Sequence, residues 1–226
     1  MKRERNGAAT KPTARRKLDA ARREMYRKLV FEAAEAVFAE HGFTDAKMGD
    51  IALEAGISLK TLYTVFEGKQ EIYQAITEIR CAELLSLVPS DPVLSPLQAV
   101  MDGVRASVDY LLRHPHFLRT HLREGNAWAV QPRASADALA PEAVAIWQEH
   151  LDRQAQLIQR GIDAGVFLDE DPQLMTKMMT AVYQVHLADW LEHGGTQDPS
   201  ELTRRIQRHT RHLLCGGDAA QGTAPA

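Results

Sequence analysis

Between Gly42 and Tyr73 the chain reads GFTDAKMGDIALEAGISLKTLYTVFEGKQEIY, and within it Lys60, Thr61, Tyr63 and Thr64 are the residues best suited to chemistry on a polyanion. On a helix that starts at Leu59, Leu62 and Phe66 lie four apart on one side and those four residues fall on the other. One ammonium and three hydroxyls on a short helical face can meet phosphate oxygens and the donor and acceptor edges of base pairs. Ser58 stands where a helix cap belongs. Gly56 is free to take the left-handed conformation that ends the preceding helix, whose apolar face is Met48, Ile51, Ala52 and Ala55. Two short helices about a glycine turn make a helix-turn-helix, which implies a double-stranded DNA partner.

A turn of this kind recurs in many small helical proteins, so the elements that hold it matter. Ahead of it, Tyr26 to His41 carries Leu29, Ala33, Ala36 and Val37 at helical spacing beside Val30, Ala34 and Phe38, a stripe broad enough to pack across two short helices. Gly42 ends that helix. A long helix, a short helix, a turn and a capped short helix together make a three-helix head.

Over this span the chain resembles the TetR/AcrR transcriptional regulators. The family pattern is an apolar first helix ending in Gly-aromatic, then Ile-Ala, Ala-Gly-Val/Ile-Ser, Thr-Leu-Tyr, Phe and Lys. Here it stands as Gly42-Phe43, Ile51-Ala52, Ala55-Gly56-Ile57-Ser58, Thr61-Leu62-Tyr63, Phe66 and Lys69. The resemblance runs roughly from Tyr26 to Ile76, and beyond it only length and helical character agree. Two positions depart from it. Ala46-Lys47 replaces a frequent Thr-Thr or Thr-Ser pair, so a lysine charge stands in for a hydroxyl cap and its phosphate contact. Val65 replaces a frequent His or Tyr, which leaves only an apolar contact with a thymine methyl.

These residues divide into two expected roles. Ser58 caps the recognition helix and turns its positive end to phosphate, with Lys47, Lys60, Lys69 and the Tyr63 hydroxyl adding backbone contacts. Thr61 and Thr64, with Leu59 and Val65, face base edges and carry sequence discrimination.

Composition bounds the rest. The chain has 226 residues, 45% hydrophobic and 25% charged, which suits a globular protein with a small head and one larger domain. No apolar run approaches membrane-spanning length and the basic N-terminus lacks a secretory pattern, so the expected location is the cytoplasm, with no membrane partner. Cys81 and Cys215 make neither a disulfide framework nor a CxxC metal knuckle. Residues 1–28 hold eleven basic and three acidic residues, a net of +8; with the whole chain at −3, the remainder carries −11. A basic segment beside a DNA-reading helix on an acidic body orients the head toward DNA. Thr13 to Met25 has the content either to lengthen the first helix or to lie along the DNA.

After Gly68 a helix near Lys69 carries Ile72, Tyr73, Ile76, Ile79, Leu84 and Leu87 up to the breaker Pro89-Ser90-Asp91-Pro92. Leu97, Val100, Met101, Val104, Val108 and Leu111 form the next stripe, and a shorter helix from Pro115 to about Trp128 precedes a loop over 129–140. From Pro141 the stripe is Val144, Trp147, Leu151, Gln154, Ile158 and Ile162. The helix after Pro172 is apolar on more than one face, from Leu174 and Met175 to Trp190, so a second face needs a ligand or a partner subunit. The last helix has a narrow seam of Leu202, Ile206, His209 and Leu213. The expected fold is therefore all-α, about nine helices. Residues 1–22 are a basic, largely disordered extension, 23–68 the DNA-binding head, 69–215 a helical ligand-binding and dimerisation domain, and 216–226 a disordered tail. The last two helices, about 171–192 and 199–214, are expected to form a homodimer that matches a palindromic operator, as the resemblance also implies.

The resemblance further implies a cavity for a small-molecule effector whose binding changes the spacing of the two heads and relieves repression. Candidate wall residues are Tyr110, Phe117, His121, Trp128, Trp147, Met175, Met179, Tyr183 and His186, which suit an apolar pocket with a few polar handles. His114, His116 and His121 in HPHFLRTH have no companion ligands at metal spacing, so neither metal nor cofactor is expected. No phosphate loop, nucleophile elbow or HExxH supports an enzyme. The alternative reading is an architectural or regulatory DNA-binding protein without small-molecule control.

Overall fold

The computed structural model describes residues 14–91, 93–123 and 141–216, which form nine helices and no strand. Helix α1 (Ala14–Asp45) is broken at Gly42, whose φ of 79° is a left-handed value that a side chain resists. It starts a dozen residues before Tyr26. Residues 14–22, expected in a largely disordered extension, are its first turns instead, because Ala14 to Met25 consists almost wholly of strong helix formers. Residues 1–13 lie outside the described part, as do the tail from 217 and residues 124–140, where Trp128 and the whole of the expected loop fall.

Helices α2 (Met48–Glu54) and α3 (Leu59–Tyr63) complete the head. Between them Gly56 has φ 64°, the conformation that lets the chain reverse there without a Cβ penalty. Val30, Ala34 and Phe38 of α1 meet Ile51 of α2, Leu62 of α3 and Phe66 just past it, all no more than 1% exposed. Each large side chain buried this fully contributes about 1.5–3 kcal/mol. Phe38, Phe43 and Tyr73 close the far side as three rings with centroids 5.0–5.7 Å apart.

Helix α4 (Lys69–Ser86) runs from the head into the body formed by α5 (Pro96–Arg113), α6 (Pro115–Arg123), α7 (Pro141–Asp163), α8 (Pro172–Glu192) and α9 (Pro199–Cys215). Three of these start alike, with a capping oxygen followed by proline at the first position, where the missing N–H costs nothing. Ser95 Oγ accepts from Gln98 N, Asp171 Oδ1 from Gln173 N and Asp198 Oδ1 from Ser200 N. Helix α7 packs on α4, α5 and α8, α9 packs on α5 and α8, and α6 lies along α1. None of the described helices is long and apolar enough to cross a membrane.

Candidate nucleic-acid interface and effector cavity

The reading surface is built from the Ser58 cap outward. Ser58 Oγ accepts from the Thr61 N–H at 3.0 Å and shares a 2.8 Å hydrogen bond with the Thr61 hydroxyl. The Thr64 hydroxyl donates to the Thr61 carbonyl at 2.6 Å, so what it has left is acceptor capacity. Leu59, Lys60 and Tyr63 stand exposed beside them. Across an open groove from Lys60, Thr61, Thr64 and Val65 lie Asp19, Arg22, Arg23 and Tyr26 of α1. The early turns of α1 thus bring two arginines alongside the recognition helix, and Arg22 donates to the Tyr26 hydroxyl at 3.1 Å. Arg22 and Arg23 carry no helix-turn-helix signal of their own; the run of helix formers through them is what could have found them.

One candidate contact is narrower than expected and one needs correction. Val65 is 3% exposed, because α3 ends at Tyr63 and the chain packs Val65 with Phe66 into the head core, yet it lines the same groove as Thr61 and Thr64 and offers only a small apolar edge there. Lys69 is not a free cation facing outward. Its Nζ donates to the carbonyls of Phe43, Thr44 and Ala46 at 2.8, 2.7 and 3.0 Å and sits 5.0 Å from the Phe43 ring centre, so it closes the end of α1 from inside the head. Lys47 is exposed at the start of α2 and gives that helix no side-chain cap.

A charged cluster joins head to body. Arg80 of α4 donates through Nε and Nη2 to both carboxylate oxygens of Glu35 on α1, at 2.7 and 2.9 Å, and through Nη1 to Glu83 at 2.9 Å. Tyr110 of α5 donates to Glu83, and its ring lies against His114. Burial weakens the Arg80 charge, but the bonds to Glu35 and Glu83 outweigh that and the guanidinium holds its proton more firmly than usual. Burial raises Glu83 as well, yet the bonds from Tyr110 and Arg80 bring it below the ordinary carboxylate range.

Inside the body two small cavities, of about 30 and 20 Å³, adjoin at Ser107, Gln154 and Tyr183, which line both. The first is walled by α4 (Cys81, Leu84), α5 (Ser107, Leu111), α6 (Phe117, His121), α7 (Trp147, His150, Gln154) and α8 (Thr180, Tyr183). The second lies toward Val88, Pro89 and Gly103. Together they have room for only a few water molecules and are far smaller than a ligand site in its filled state. Burial pushes the Cys81 thiol up to about 12 and the His121 and His150 imidazoles down to about 4, so all three are neutral near pH 7.

Phe117, His121, Trp147, Met179 and Tyr183 line these cavities. Three other candidates do not. Tyr110 spends its hydroxyl on the Arg80 cluster, Met175 is buried in the core away from both voids, and His186 is at the surface. Trp128 lies outside the described residues. Cys81, Ser107, His150 and Thr180 were missed; Trp147, His150 and Gln154 share helical spacing, and a buried Gln in that stripe was the available signal. Among the described residues no three metal-ligating side chains converge.

His186 Nε2 and His209 Nδ1 share a 2.7 Å hydrogen bond within an open apolar face formed by Met178, Ala181, Val182, Val185 and Leu213 of α8 and α9. The seam expected along α9 therefore divides: Leu202 and Ile206 point into the body, while His209 and Leu213 belong to this outer face.

A capped recognition helix on a three-helix head, joined to a helical body with an internal cavity, defines a DNA-binding regulator. The family model of bacterial regulatory proteins, tetR family, matches residues 30–76. The HTH-type transcriptional repressor SCO4008 of Streptomyces coelicolor is 30% identical over 191 residues, covering 82% of this chain and 93% of that protein. The chain belongs to the tetR family and is a transcriptional regulator. The A-factor receptor protein of Streptomyces griseus is 26% identical, with 82% of this chain and 61% of that protein covered. FadR from Bacillus subtilis, solved in complex with stearoyl-CoA, shares the fold with a TM-score of 0.67 at 16% identity, over 84% of this chain and 98% of that one.

Proposed function

We propose that this regulator is a repressor that holds a palindromic operator as a homodimer and leaves it when a small molecule enters the body cavity. The observation that carries the reading is the exposed polar face of α3 beside the arginines of α1. Lys47, Lys60, the Tyr63 hydroxyl and the α3 end capped by Ser58 fix the head on the phosphates, and Arg22 and Arg23 extend that grip. Thr61, Thr64 and Leu59 read bases. With its proton already committed to the Thr61 carbonyl, Thr64 accepts from a base, which selects an adenine or cytosine amino group. The second copy covers the α8–α9 face, where Leu174, Met178 and Val185 are 51%, 45% and 67% exposed, an apolar surface that water disfavours.

Release follows from connectivity. Cavity walls on α4 and α6 reach α1 directly, through Arg80 to Glu35 and through Arg123, whose Nη1 donates to the Glu40 carbonyl at 2.8 Å. A ligand that needs more room than the present cavities offer moves α4 and α6, and through them the heads. It acts only by binding the displaced form more tightly. The A-factor receptor and the FadR complex are relatives whose names carry a ligand, which favours effector control over an architectural role.

Selection of duplexes by the full chain, followed by titration with salt and with a compound panel, tests this. A two-fold symmetric consensus and a compound that both quenches tryptophan emission and frees the duplex are expected. A protein that stays monomeric and ignores every duplex at low ionic strength would overturn it.

A further inference from the structure

The cavity walls hold a specific chemical pattern. Among the described residues, neither void is lined by an Asp, Glu, Lys or Arg. Where the two voids meet stands a polar pair, Gln154 and His150, 8% and 4% exposed, joined by a 2.6 Å bond between the amide nitrogen and imidazole Nε2. That bond leaves Gln154 Oε1 and His150 Nδ1 buried without a hydrogen-bond partner. With the amide as placed, Oε1 is an idle acceptor and Nδ1–H an idle donor; with the amide turned over, its N–H groups are the idle donors and Nδ1 the acceptor. Either way one donor and one acceptor wait on the same wall. Each idle group costs free energy that a ligand recovers by pairing with it. Trp147 stacks on the His150 ring at 4.9 Å and leaves the rest of the lining mostly apolar.

Resting on the effector reading above, we infer that the joined cavity takes an uncharged, largely apolar small molecule bearing one group that both donates and accepts a hydrogen bond, an amide or lactam, held by Gln154 and His150. A carboxylate, phosphate or ammonium buried here would find no counter-charge among the described residues, and that desolvation cost disfavours it. Ligand entry opens the contact at Ser107, Gln154 and Tyr183 and makes one elongated site of two voids. The same pair gives the protein a sieve for the polar group of its effector, separate from the apolar walls that accept its bulk.

Four matched probes test this on the full chain at pH 7.5: octanamide, methyl octanoate, octanoate and octylamine, read by melting temperature and by quenching of tryptophan emission. Octanamide is expected to bind at least tenfold more tightly than octanoate or octylamine, with the ester, an acceptor only, in between. The double variant Gln154→Leu/His150→Phe removes both partners of the pair at once, so it should melt no lower than the parent, lose the preference of amide over ester, and keep its affinity for the ester. Should that variant not fold, Gln154→Met alone carries the same comparison. Equal binding of a charged probe, an amide preference that survives the substitutions, or no binding of any probe overturns the inference. Retention on a selected duplex without ligand is measured on the same samples and scores the regulator reading by itself. A protein that holds DNA yet ignores octanamide defeats only the ligand assignment.

Discussion

Head and body are both helical, yet their interiors are finished differently. In the head, aromatic rings fill the space between helices, and even the ammonium of Lys69 has three carbonyl partners. The body keeps voids between five helices and leaves polar atoms of His150 and Gln154 idle on their wall. Close packing with satisfied polar groups gives one well-defined shape, whereas voids and idle groups leave a structure that a ligand can improve. The rigid part of the molecule reads, and the unfinished part responds.

The strongest way to break this contrast is to cut the link between the parts. Arg80→Met strands Glu35, whose side chain is 11% exposed, and should cost about 3–5 kcal/mol in urea unfolding. If head and body were independent, unfolding would instead separate into two transitions. A pH titration comes next. The His150 imidazole has a pKa of about 4 when folded, against about 6.5 unfolded, so its contribution is intact above pH 6.5 and falls as acid protonates the unfolded chain alone. Between pH 6.5 and 4 the loss from His150 should approach 3 kcal/mol, and His150→Phe should make that stretch of the curve shallower while the equally depressed His121 keeps its own share.

Smaller substitutions sharpen the contrast. A Cβ at Gly161 would lie 2.0 Å from the Phe167 ring, so Gly161→Ala should cost about 1–3 kcal/mol, because away from its voids the body is as tightly packed as the head. Ser58→Ala removes the cap of α3 and should cost about 1 kcal/mol while weakening DNA binding. Lys60→Gln should shift stability by no more than about 0.5 kcal/mol yet lower the salt slope of operator binding by about one. A slope that stays put would remove Lys60 from the phosphate contacts.

What the sequence made legible was local. Gly56 before Ser58, and Leu62 four residues before Phe66, are short-range patterns, and the turn, the cap and the buried side of α3 follow from them. Val65 offers less surface than its spacing implies, because it stands two residues beyond the end of a five-residue helix, where the helical projection no longer holds. Lys69 was misread for another reason: its partners lie 23–26 residues away in sequence, and no periodicity reports a contact of that separation. Spacing also identifies a buried face without saying whether it meets a side chain or a void, which is why Met175 and Met179, four apart on α8, part company at the cavity. The two apolar faces of α8 were visible, but the assignment of His186 to the outer one needed the partner His209 from α9.

Three carbonyl oxygens converging on Lys69 Nζ also restrict what evolution can place there. A tetrahedral –NH3+ directs three N–H bonds to separate points of a small cup, whereas a guanidinium is flat and spreads its donors in one plane on a longer reach. Arginine would keep the charge and still leave the cup half empty, so at this position shape, and not sign, makes lysine irreplaceable.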